Sequence, residues 1–138
     1  MQRTGLGRFA SFVAVGGLGF VVDAAILSTL VYVWDWPHYS ARVISFAAAV
    51  SVTWYCNREW VFTRTKDRAR EYGAYFGVQA VGAVINLGTY AVLIALVPSL
   101  ARLPLVPLAA GAALALLFNY SGATRWVFAD PARKDRSR

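Results

Sequence analysis

The chain has one cysteine, one histidine and seven acidic residues among its 138. A single thiol, Cys56, excludes an internal disulfide and a cysteine metal cluster. His38 has no partner set for metal ligation or imidazole catalysis, so in the turn Asp35–Tyr39 it reads as a solvated residue. There is no phosphate-cradling glycine loop, metal-ligand cluster or acid–base dyad, so an enzyme is the least expected class and no cofactor is implied. Polar helix faces are also missing. A water-soluble four-helix bundle needs one on every helix, whereas the long runs here read as apolar all round. Hydrophobic residues make up 58% of the chain, with a mean hydropathy of +0.48.

Four apolar runs are present, at about Phe9–Trp34, Ser40–Phe62, Tyr72–Val97 and Leu105–Phe128. Each reaches the ~20 residues a helix needs to cross the hydrocarbon core. The expected fold is an all-α integral membrane protein of four transmembrane helices, forming a single membrane domain over residues 1–138. The first run is too long for the apolar region of a signal peptide, and no small-residue cleavage site precedes Asp35-Trp36-Pro37. The net charge of +7 follows the membrane rather than a nucleic-acid footprint. Basic residues gather before the first run, in the loop Arg64–Arg70, and in the tail 129–138, which reads as disordered. Only Arg42 and Arg102 lie near the other two loops. The positive-inside rule therefore places both termini and the middle loop in the cytoplasm, with Trp36–Tyr39 and Pro98–Pro104 outside. The basic clusters also suit anionic headgroups. Pro37 suits the start of the second helix, and Pro104 and Pro107 that of the fourth. Arg42, just inside the second run, either extends its charge outward or meets an outer-leaflet phosphate.

The chain repeats itself. Asn57-Arg58-Glu59-Trp60-Val61-Phe62 closes the second run, and Asn119 through Arg125-Trp126-Val127-Phe128 closes the fourth. The aromatic ends superpose at an offset of 66 (Trp60 on Trp126), which sets Thr53 on Asn119. The odd-numbered runs match at 63, with Phe12 on Tyr75, Gly19 on Gly82 and Asp23 on Asn86. Gly16, Gly19 and Asp23, like Gln79, Gly82 and Asn86, follow the spacing i, i+3, i+7 of one helix face. Glycine on such a face permits close helix approach, while Asp23 at mid-run is costly unless it hydrogen-bonds a neighbouring helix or serves transport. Two tandem two-helix repeats of the same orientation are expected, about 9–62 and 72–128, related by an axis along the membrane normal. Glycine faces on helices this slim also favour a homo-oligomer, most simply a dimer.

These residues resemble the GtrA-like proteins, small four-span membrane proteins with a Val-Gly rich first helix and Asn-Arg-x-Trp-x-Phe closing the second. Here Phe12-Val13-Ala14-Val15-Gly16-Gly17, Asp23 and Asn57-Arg58-Glu59-Trp60-Val61-Phe62 carry the likeness. In the second copy arginine directly precedes tryptophan, a departure from the pattern. The resemblance implies a bacterial-type cytoplasmic membrane and a part in cell-surface polysaccharide synthesis. It also implies inner-to-outer movement of a polyprenyl-phosphate-linked sugar, such as undecaprenyl-phosphate glucose, or recruitment of a membrane glycosyltransferase without transport.

On the transport expectation, Arg58 offers a donor fork for the phosphodiester. Asn57 and Asn119 add amide donors near it, and Trp60 and Trp126 stack on sugar or fix helix ends. Asp23, Gln79 and Asn86 line a deeper path. Arg125 is a further candidate phosphate ligand, though it reads more readily as an ordinary inner-interface anchor; for Arg58, beside Asn57, the ligand and anchor readings stand equal.

Overall fold

In a computed structural model, which describes residues 5–103 and 105–129, the chain is helical throughout. Helix α1 (Gly5–Ser28) runs into a π-helical turn, Thr29–Val33; α2 (His38–Cys56) runs into a second, Asn57–Val61. Helix α3 (Arg68–Leu96) is followed by a short 3₁₀ turn, Pro98–Arg102, and α4 (Leu105–Gly122) ends in a third π turn, Ala123–Val127. Pro104 and residues 130–138 of the basic tail lie outside the described residues, as do the side chains of His38, Tyr39, Ala101 and Leu105.

Among the described residues, three segments are long and apolar enough to cross a membrane: Gly5–Val33, Arg68–Leu96 and Val106–Val127. Helix α2 is the less apolar one, and the reason is a polar face that the run's composition conceals. Ala41, Ser45, Ala49, Thr53 and Asn57, four residues apart, form a buried stripe. Its hydroxyls bond within their own helix: Ser45 Oγ donates to the Arg42 carbonyl (3.1 Å) and Thr53 Oγ1 to that of Val50 (3.0 Å). Such back-bonding lets small polar residues sit in a helix contact without a partner across it.

The chain divides into two compact units, Met1–Arg68 and Ala69–Arg138. In the first, α1 reverses into α2 through a tight turn at Asp35, whose φ of 51° lies in the left-handed region that aspartate tolerates. Helix α1 packs through Phe12, Val15 and Gly19. A Cβ on Gly19 would lie 2.4 Å from Thr53 Cγ2, so glycine here is what lets α1 approach α2. The Phe12 and Phe62 rings meet edge to face, centroids 6.0 Å apart, and close the other end of the hairpin.

The second unit repeats these contacts residue for residue. Helix α3 buries Tyr75, Val78 and Gly82, and a Cβ on Gly82 would lie 2.0 Å from Asn119 Oδ1. Tyr75 meets Phe128 at 6.2 Å. Along α4, Pro107, Gly111 and Ala115, with Ala123 beyond it, are buried, and Asn119 is half-buried in the same row. Each is the residue 66 places after its counterpart on α2 (Ala41 to Pro107). The π turns Asn57–Val61 and Ala123–Val127 fall at the same offset.

The expected glycine face shifts by one position. Gly16 is exposed, and a Cβ there would meet nothing within 4 Å, while Val15 and Gly19 share the packed face. Successive helical residues are about 100° apart, so spacing i, i+4 from Val15 holds the seam and Gly16 turns away from it.

Candidate functional site

The π turn at the end of α2 positions the most distinctive side chains. Phe62 N–H donates to the Asn57 carbonyl at 2.9 Å, a five-residue step. The backbone entering the turn is still α-helical at Cys56 (φ -63°, ψ -43°) and Asn57 (φ -64°, ψ -40°). Cys56, Asn57 and Arg58 are all buried, at 5%, 1% and 6% exposure, while Trp60 projects outward.

Trp54 and Thr65 are among the groups that hold the Arg58 guanidinium. It lies over the Trp54 ring, 5.9 Å from the centroid, and Nη2 donates to the Thr65 carbonyl at 3.0 Å. Trp54 is four residues earlier, the spacing at which helical side chains meet. The ring holds the guanidinium plane and the loop carbonyl holds one edge. Next to it, Glu59 forms an ion pair with Arg64, which separates that carboxylate's role from that of Arg58.

Farther along the hairpin, Asp23 pairs with Arg42 through Oδ2 and Nη1. Asp23 Oδ1 is buried and makes no hydrogen bond. Arg42 is therefore held to the preceding helix, with more than half of its side chain exposed.

The second unit holds a neutral polar contact at other positions. Asn119 Nδ2 donates to Gln79 Oε1 at 2.8 Å, and its Oδ1 rests against Gly82. Asn86 presses on Gly111 in the same way, its Oδ1 2.5 Å from where a Cβ would stand. Both oxygens are buried and accept no hydrogen bond; close approach to glycine Cα–H is the weaker contact that remains. Arg125 and Trp126 are exposed, and Trp126 meets Phe118 at 6.0 Å. The two arginines occupy different places: the residue matching Arg58 is Thr124, whose Oγ1 donates to the Tyr120 carbonyl (2.8 Å), and Arg125 matches Glu59.

Of the residues expected from sequence, Asn57 and Arg58 adjoin each other, Asp23 meets Arg42, and Gln79 meets Asn119. Asn86 lies on its own against α4, and Trp60 and Trp126 face outward. Trp54 and Thr65 are added by the structure. Trp54 was discoverable from its i−4 relation to Arg58; Thr65 was not, because the loop's return depends on its folded path.

The profile of the GtrA/DPMS transmembrane domain matches residues 11–128. The chain belongs to this family. The match takes in both helical units and all three π turns, and with the apolar helices it makes the chain a membrane protein. No curated protein matches the chain in sequence. Within the GtrA/DPMS domain the Asn-Arg-x-Trp-x-Phe motif thus has a concrete form here: a π turn with asparagine and arginine inside and tryptophan outside.

Burial of Cys56 within that turn gives a simple check. Maleimide reaction of the folded protein is expected to be slow and to go to completion only in denaturing detergent. Fast labelling of the folded chain would show that the turn is open.

Proposed function

We propose that the protein moves a polyprenyl-phosphate-linked sugar from the inner to the outer leaflet, with Arg58 as the ligand of the phosphate. The observation that carries this is the second unit: it builds the same helix contacts and the same π turn with Thr124 where Arg58 stands. The fold does not require a cation there. A guanidinium turned inward at a helix end, its plane set by Trp54, is a prepared partner for a phosphate's oxygens. Asn57 adds an amide beside it. Asp23, Gln79, Asn86 and Asn119 supply polar groups along the hairpins for the sugar, and Trp60 and Trp126 hold the helix ends at headgroup depth.

In this reading all four helices span, α2 with its polar stripe covered by α1. The two units are tandem repeats of like orientation, in a bacterial-type cytoplasmic membrane with both termini and the Arg64–Arg70 loop in the cytoplasm. Single cysteines in a Cys56→Ser chain test this: a cysteine at Lys66 is expected to label only from the cytoplasmic side, and labelling from outside overturns the topology. Transport is tested with purified protein in proteoliposomes and a leaflet-resolved labelled lipid sugar. Movement is expected; its absence, with a transferase co-purifying normally, favours recruitment instead.

That second reading, a scaffold for a membrane glycosyltransferase, draws support from Gly16, Gly17, Gly73 and Gly77, which have nothing within 4 Å of a Cβ. Gly19 and Gly82 are already used inside their units, so these open glycines are the surfaces for a partner or for a homodimer.

A further inference from the structure

The Asp23–Arg42 pair is unusual on three counts. First, Asp23 sits in an apolar helix long enough to cross a membrane, and on the four-span reading Arg42 does too; a charge is expensive there. Second, the contact is one-sided: Asp23 uses only Oδ2, and Oδ1 has no hydrogen-bond partner. A pair built for strength would engage both oxygens in a fork. Third, the corresponding places in the second unit hold Asn86 and Leu108. Both charges are replaced there, and α3 still packs on α4 through Gly82 and Gly111. The hairpin does not need the pair to form.

Arg42 stands 16 residues before Arg58, about 24 Å along α2 at 1.5 Å per residue. That is close to the depth of the hydrocarbon core, about 30 Å. One helix thus carries an arginine at each end, one buried in a π turn and one more than half exposed. Guanidinium has five donors in a planar fork, and a single carboxylate oxygen leaves room for a second anion on it.

We infer that Arg42 is a second lipid-phosphate site, at the end of α2 opposite Arg58, and that Asp23 is the internal anion with which an arriving phosphate competes. This rests on the reading of Arg58 as a phosphate ligand and adds the place where the phosphate is received. Asp23 keeps Arg42 oriented while the site is empty and keeps its affinity low enough for the lipid to leave.

The test uses the full chain in nanodiscs, with a short-chain polyprenyl phosphate as probe and the uncharged polyprenol as control. Native mass spectrometry reads the number bound and the affinity. On an Arg58→Ala background, one weak phosphate-dependent site is expected to remain. Asp23→Asn should tighten that site about fivefold, the scale of a partly exposed ion pair, and Arg42→Gln should abolish it. A pair that only holds helices together predicts otherwise: Asp23→Asn lowers the melting temperature and leaves phosphate affinity where it was, and that result overturns the inference. Should Asp23→Asn fail to fold, Arg42→Lys decides, since it keeps the charge without the fork; a several-fold weaker site supports the assignment and an unchanged one overturns it. Displacement by excess phosphatidylglycerol assigns the site to bulk headgroups, and resistance assigns it to the carrier lipid. If Arg58→Ala removes no bound probe, the reading of Arg58 falls while the Arg42 measurement stands by itself.

Discussion

Gly82→Ala is expected to destabilise the protein by about 1–3 kcal/mol, the usual cost of overpacking a filled contact, while Gly77→Ala on the same helix leaves stability unchanged or slightly higher. A Cβ on Gly82 would stand 2.0 Å from Asn119 Oδ1 and 2.7 Å from its Cγ and Nδ2. Relief requires Asn119 to rotate, at the expense of its 2.8 Å bond to Gln79, or α3 and α4 to move apart. Gly77 has nothing within 4 Å, and alanine is the better helix former. Gly111→Ala should match Gly82→Ala, because its Cβ would meet the Asn86 backbone carbonyl at 2.5 Å, an atom that cannot swing aside. Unfolding in mixed detergent micelles, followed by tryptophan fluorescence, measures all three. Equal stability of Gly77→Ala and Gly82→Ala would show that the helices are not in this close contact.

The second large effect is on transport. Arg58→Ala is expected to lower the rate of lipid-sugar movement roughly ten- to hundredfold, the scale of losing one or two charge-assisted hydrogen bonds, at near-normal expression. Arg58→Thr should behave alike, since Thr124 fills the corresponding place in the second unit. Arg58→Lys should recover only part of the rate, because a point charge lacks the fork and stacks less well on Trp54. Arg125→Ala should have little effect, since that side chain is exposed and matches Glu59 rather than Arg58. Measured in proteoliposomes against protein content, full activity in Arg58→Ala would remove Arg58 from the site. Loss of the folded protein instead would make Arg58 a structural residue, contrary to what Thr124 implies.

Much of this is legible in the residues alone. The residues aligned in the sequence make corresponding contacts, Gly19 on Thr53 as Gly82 on Asn119 and Phe12 on Phe62 as Tyr75 on Phe128, because the three residues by which the offsets of 63 and 66 differ fall in the turn between the helices. The importance of Asn57 and Arg58 was also legible, since polar residues stand out in an apolar run.

Sequence alone determined the helices, the apolar character of three of them and the family, because these depend on composition and period within single segments. Tertiary structure decided the rest. Which way each helix turns put Gly19 in the seam and Gly16 outside it, a difference of about 60° around the helix that a cluster of glycines within four residues does not resolve. Packing put Arg58 inside and Trp60 outside at the end of α2, a burial that the period of a single segment does not give. Arg42 found Asp23, nineteen residues away, because a charge in an apolar segment takes the opposite charge that folding brings within reach, and only the packed hairpin says which one that is.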